Sequence, residues 1–145
     1  MVLDSYDIST IEGRCVGDSE AALDLLTKHN PNDVSKFGVE WSLGLEGTEK
    51  RFMPYNGMLG EEQLGWLEDR LARSGEEEET VIVLSHVPLH PRAANNLCLL
   101  WNYQVALTYL RHLSHITPTL LYLEVGAGHS EQGWLCGGGA GWSRS

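Results

Sequence analysis

Residues 80 to 88 read TVIVLSHVP, and this stretch narrows the choice of fold more than any other. Five β-branched or aliphatic residues in near-continuous order, without polar alternation, predict a strand buried on both faces, as in a sheet covered on two sides. Pro88 keeps the backbone at Val87 extended. The strand therefore ends on His86, at its carboxyl end, where open α/β sheets gather their ligands. A second apolar run, TLLYLEV at 119–125, leads into Gly126, Gly128 and His129. The glycines allow a sharp turn and a close approach to a bound group. Imidazole is a good ligand for Mn, Fe or Zn, so His86 and His129 are candidate metal donors. The competing account of His86 is a half-buried ring bonded to backbone. His90 and His112 read as surface residues, and His29 and His115 as helix-end residues that complement the dipole.

The intervening segments supply helices. DSEAALDLLTKHNPN predicts a helix capped by Asp18 or Ser19, with Ala22, Leu23 and Leu26 at helical spacing and Asn30-Pro31 as its stop. In GEEQLGWLEDRLARSG, Leu64, Leu67 and Leu71 share a face with Trp66 nearby, acids crowd the start, arginines the end, and Gly75 suits a C-cap. Glu76–Glu79 read as a solvated turn. WNYQVALTYLRHLSH predicts a third helix through Val105, Leu107, Tyr109, Leu110 and Leu113. Residues 31–59 form a long aperiodic stretch, of the kind that is functional or poorly ordered. Strand, helix, helix, strand, helix, strand is an α/β order.

Composition bounds the function. A chain of 145 residues with 42% hydrophobic content suits one domain with a real core. A formal net charge of −10 repels phosphate backbones, so nucleic acid is not the expected partner. No 18-residue apolar run implies a membrane span, and no basic-then-apolar leader is seen; a cytoplasmic setting is expected. The cysteines, Cys15, Cys98 and Cys136, form no CxxC pair, which points to a reduced compartment without a disulfide framework.

Several stretches taken in order carry a family resemblance: VLDSYDIS, LTKHNPN, RFMPYNGMLGEEQLGWLEDRL, VIVLSHVPLHP and NNLCLLWNYQVAL, followed by the glycine-histidine motif. Together they resemble the calcineurin-like metallophosphoesterases, and within them the manganese-dependent ADP-ribose/CDP-alcohol diphosphatases. The resemblance implies an incomplete four-layer α/β/β/α sandwich. Residues 1–130 would be a partial phosphoesterase domain, and 131–145 a divergent, disordered tail. It implies a divalent cofactor, manganese first, with two ions in the family. It implies hydrolysis of the pyrophosphate bond in ADP-ribose, CDP-choline or CDP-glycerol. His86 and His129 would be ligands of one cation, and Glu131 stands where the family has a second motif histidine.

The family's Asp-x-His, bridging aspartate and Gly-Asn-His segments do not occur here. The chain reads as the C-terminal part of such an enzyme, holding at most one weak cation and inactive alone. The remaining carboxylates near the strand ends are Asp4 and Asp7. Asn96, Cys98 and Tyr55 are candidate nucleotide contacts; for Cys98 the rival role is a small buried filler. A non-catalytic nucleotide- or metal-binding remnant, or an unstable fragment with open strand edges, are the alternatives. No oligomeric state follows from the sequence.

Overall fold

A computed structural model describes residues 1–11, 16–93, 95–114 and 119–124, with side chains for all of these except 16–18, 112–114 and 119–124. The elements are β1 (Val2–Leu3), β2 (Ile8–Ser9), α1 (Val16–His29), a 3-10 turn (Gly47–Arg51), β3 (Gly57–Met58), α2 (Glu61–Glu76), β4 (Thr80–Ser85), α3 (Tyr103–Ser114) and β5 (Thr119–Glu124). His129, Glu131 and the segment 131–145 lie outside the described residues.

The α/β order is borne out in a parallel three-stranded sheet, β1-β4-β5. Val2 pairs with Leu84, and β4 pairs with β5 from Thr80↔Thr119 to Ser85↔Glu124. Both crossovers step in the same direction across this sheet. Right-handed connections then place both crossover helices on one face, and α2 and α3 do pack together there. Leu64, Leu67 and Leu71 of α2, Ala106 and Leu110 of α3, and Val81 and Val83 of β4 form one buried cluster with Leu3, Leu59, Val87, Leu89 and Leu100.

The expected two-sided burial of β4 does not hold among the described residues. Its side chains alternate: Val81, Val83 and Ser85 are buried, Leu84 is half-buried, and Ile82 is 44% exposed. Val2 on β1 is 71% exposed. The strand is apolar on both faces, but the described residues cover only one of them. Two helix details also differ from expectation. Gly75 lies inside α2, and the left-handed conformation that ends the helix falls on Glu78, at φ 54°. Val105 is 42% exposed, because Ala106 and Leu110 provide the inward face of α3.

A second core lies beside the first. Ala22 and Leu26 of α1 pack with Val34, Phe52 and Trp101. The stretch 31–59 is held here by side-chain amides, those of Asn30 and Asn56 buried, rather than by periodicity. Asn30 donates to the carbonyls of Trp41 and Phe52 at 3.0 and 2.8 Å. Asn32 donates to those of Trp41 and Leu43 at 3.0 and 2.8 Å. Asn56 donates to those of Arg51 and Leu97 at 2.8 and 2.7 Å. The buried Arg51 donates from Nε to the Trp101 carbonyl at 2.8 Å, and its guanidinium lies 4.0 Å from the centre of the Phe52 ring. His29, at the end of α1, stacks on Phe52 at 4.4 Å and 9°.

Asn102 pairs with both backbone groups of Leu59, accepting from its N–H at 3.1 Å and donating to its carbonyl at 2.7 Å. It thus imitates one rung of a strand ladder between the start of α3 and the start of α2. Asn102→Ala strands both groups next to a Leu59 that is 1% exposed. Urea unfolding should show a loss of about 2–3 kcal/mol, the cost of leaving such buried groups unpaired.

Candidate metal site

β1 and β4 are parallel, so their carboxyl ends emerge side by side. The chain leaves β1 through Asp4–Asp7 and leaves β4 through His86-Val87-Pro88. The two exits are tied together by serines. Ser85 Oγ donates to the Val87 carbonyl at 2.7 Å. Its single proton is then committed, so the 2.9 Å contact between Ser5 Oγ and Ser85 Oγ has Ser5 as donor. Ser5 Oγ in turn accepts the Val87 N–H at 3.1 Å. Both serines are 1% exposed, so these bonds form away from competing water.

His86 itself is exposed. Its ring faces Tyr6, with centroids 5.7 Å apart and planes tilted by 46°. Burial, and then the Asp4 carboxylate, push the Tyr6 phenol above its ordinary range, so it stays protonated at neutral pH. The rival picture of His86 as a half-buried ring is not what the structure shows.

The carboxylates near this mouth are engaged in holding the backbone. Asp4 Oδ1 accepts the Tyr6 N–H at 3.0 Å. Asp7 Oδ2 accepts the N–H of Gly60, the N-cap residue of α2, and Gln63 Nε2, both at 2.9 Å. That places an anion at a helix N-terminus, where the dipole favours it. Gln63 also bonds the N–H and carbonyl of Asp4 at 2.7 and 3.0 Å. Among the described residues, no group of three or more His, Cys, Asp or Glu side chains could hold a metal ion. The described residues therefore do not fit a two-metal centre; they offer one imidazole in a suitable place.

The other candidates stand elsewhere. Tyr55 neighbours Trp41, at 6.5 Å between rings, and burial followed by the Glu40 carboxylate pushes its phenol up to about 12. Asn96 is half-buried in the turn before Cys98. Cys98 is 3% exposed, which suits the small buried filler better than a nucleotide contact. His90 is half-buried rather than fully at the surface; burial, then Arg111 and Arg92, hold it below its ordinary range.

Sequence reasoning missed Ser5 and Gln63 as supports of the site. Their partners lie 80 and 59 positions away, so no local pattern marks them. Gly57 was also missed as a contact. A Cβ there would overlap the Ser5 carbonyl oxygen and sit 3.0 Å from that of Ile8. The glycine in YNG is thus needed for close approach to the very turn that carries Ser5.

No family model matches the chain. It does match curated proteins named manganese-dependent ADP-ribose/CDP-alcohol diphosphatase. The one from Xenopus tropicalis is 39% identical, covering 94% of this chain and 36% of its own. Those from Danio rerio and Homo sapiens are 36% and 34% identical, over 94% and 92% of this chain and 40% and 36% of theirs. A crystal structure of a dimetal phosphatase from Danio rerio aligns with a TM-score of 0.67 at 34% identity, covering 83% of this chain and 37% of that one. The chain thus spans well under half the length of these relatives. Its parallel sheet, its strand-end histidine and its likeness to these proteins over nearly all of its own length identify it as homologous to a segment of the manganese-dependent ADP-ribose/CDP-alcohol diphosphatases.

Proposed function

We propose that this chain is a partial calcineurin-like phosphoesterase domain. It carries one donor of the site at which its relatives would cleave the pyrophosphate of ADP-ribose and CDP-alcohols, and it does not turn over substrate alone. The observation that supports this is His86 at the carboxyl end of a parallel strand, with no group of three donors beside it among the described residues. His129 and, less directly, Glu131 are the proposed companions of His86. A nucleotide diphosphate is the proposed small-molecule partner, with Tyr55 and Asn96 as its contacts. Cys98 is the weakest of these, since its side chain is buried.

The open sheet face with Ile82 and Val2 fits the second sheet of a four-layer sandwich. Parallel sheets are normally covered on both faces. A cytoplasmic setting belongs to the same reading. Among the described residues no helix is long and apolar enough to cross a membrane.

The test is an assay of AMP release from ADP-ribose, or of CMP release from CDP-choline, in the presence of Mn²⁺. The isolated chain should give no turnover above buffer, and rates near those of a full-length relative would overturn the proposal. The second reading, a binding remnant, is favoured by the exposure of His86. It predicts Mn²⁺ uptake by the chain that falls in His86→Ala.

A further inference from the structure

Neither half of the Asn56-Gly57 pair can be exchanged without loss to the fold. Asn56 is 2% exposed, and both protons of its amide nitrogen are committed, to the carbonyls of Arg51 at 2.8 Å and Leu97 at 2.7 Å. Gly57 lies against the turn at 4–7, where a Cβ would overlap the Ser5 carbonyl oxygen. The fold therefore keeps an asparagine directly before a glycine, and that pair carries a reaction of its own. With no Cβ to hinder it, the Gly57 nitrogen can attack the Asn56 side-chain carbonyl. A bond forms between Gly57 N and Asn56 Cγ, the Cγ–Nδ2 bond breaks, and ammonia leaves with the amide proton. Solvent water then opens the succinimide at either of its carbonyls. The product is an aspartate, or an isoaspartate whose main chain runs through the former side chain. Asn30 cannot follow this route, because Pro31 has no N–H to lose. Asn32, Asn95, Asn96 and Asn102 precede residues whose side chains crowd the same attack.

We propose that Asn56-Gly57 is a latent modification site. The fold holds it unreactive; opening of the segments 51–58 and 97–102 lets it cyclise, and the product bars the return. In the closed state both reacting groups are clamped. Asn56 Nδ2, the leaving group, is tied to two carbonyls, and the Asn56 N–H donates to the Met53 carbonyl at 3.1 Å. Gly57 pairs with Ser9 in the β2–β3 ladder, and its carbonyl accepts the Trp101 N–H at 2.9 Å. Burial also keeps out the water that completes the reaction. These clamps come from two stretches, 51–53 and 97–101, so separating the two stretches releases Leu97 and Trp101 together. The bar to return lies in the product. An aspartate would bury a carboxylate against two carbonyl oxygens, where an amide donated before, and an uncompensated buried charge is costly. An isoaspartate adds a methylene to the main chain, which shifts Gly57 off Ser9 and off the Trp101 N–H. Tyr55 immediately precedes the altered residue and Asn96 precedes Leu97, so both candidate nucleotide contacts are displaced with it.

No metal or substrate enters the test. The whole chain is held at mildly alkaline pH in buffer and in denaturing urea, then cleaved after Arg51 and Arg70 for mass spectrometry of the peptide between. In urea, isoaspartate and aspartate should accumulate at Asn56, with matching release of ammonia. In buffer the rate should be about 100-fold lower or more, because modification through an open form tracks the population of that form. Asn102→Ala unpairs Leu59, two residues beyond Gly57, and should raise the rate in buffer about 30-fold. Urea below the unfolding transition should raise it likewise in the unaltered chain, which decides the matter if the variant does not fold. Chain modified in urea and returned to buffer should lose its cooperative melt in proportion to the modified fraction. Equal rates in buffer and in urea overturn the proposal, as does a rate in buffer that ignores both the variant and low urea. Recovery of the unaltered melting temperature by fully modified chain also overturns it. So does an intact Asn56 after a time in urea that modifies a short unstructured peptide of the same local sequence.

Discussion

Gly57→Ala should lower stability by about 3 kcal/mol or more, at the top of the range for inserting a methyl group into a packed site. The reason lies in what the methyl would meet. The nearest atoms are the carbonyl oxygens of Ser5 and Ile8 and the Cα of Tyr6, all backbone. A flexible side chain could swing aside; a carbonyl within a paired segment cannot. Gly57 pairs with Ser9 in the β2–β3 ladder, and its carbonyl accepts the Trp101 N–H at 2.9 Å. The strand cannot retreat without breaking those bonds. Urea denaturation should place the midpoint about 1–2 M lower for a slope of roughly 2 kcal/mol per M. A midpoint within a few tenths of the unaltered protein would show that the turn at 4–7 can yield. Gly65→Ala is the control. It lies on α2 with nothing within 4 Å of an added Cβ, and helix propensity alone should make it neutral or stabilising by up to about 1 kcal/mol.

Trp101→Ala should cost about 3–5 kcal/mol, the usual range for deleting a large buried aromatic. Trp101 is 2% exposed and packs in the second core. Its indole N–H donates to the Met53 carbonyl at 3.2 Å, and its own carbonyl accepts from the Arg51 guanidinium. Removal leaves a cavity, while the Met53 carbonyl keeps the Asn56 N–H at 3.1 Å as donor, so the packing cost dominates. Because native domains have only about 5–15 kcal/mol of net stability, the change should be visible as a large fall in melting temperature. Trp66→Ala is the matched comparison, since Trp66 is 43% exposed; it should cost far less. Equal losses at the two positions would mean that the second core is not a packed unit.

Much of the frame was legible because it is written locally. The spacing of Leu64, Leu67 and Leu71 predicts α2 and its buried face, and all three are in the main core. The apolar runs at 80–85 and 119–124 are paired parallel strands. What was not legible depends on distant partners. β2 and β3 are two residues each and exist through pairing with one another. The one-sided exposure of β4 could not be read from TVIVLS, because the run is apolar on both faces whichever of them is covered. The motifs that carry the family likeness also changed meaning. Asn30 and Asn32 of HNPN, Asn56 of YNG and Asn102 of LLWN bind backbone carbonyls of other segments. They fold the long stretch 31–59 on itself and tie it to the end of α1 and to the segment 97–102. Of the candidate donors, His86 was legible from strand-end position alone, while Ser5 behind it was not.

The serine tie between the two strand exits also sets an order of events during synthesis. Ser5 must wait for Ser85, 80 positions later, so the first strand leaves the ribosome long before its partner exists. At typical elongation of about 5–20 residues per second, that wait is roughly 4–16 s. Until then the turn at 4–7 is held by Gly60 and Gln63 at the start of α2 and by the β2–β3 pairing beside it. The mouth of the sheet is therefore among the last parts of the described chain to become native. Long-range pairing of this kind slows folding, because loop closure precedes the contacts that reward it.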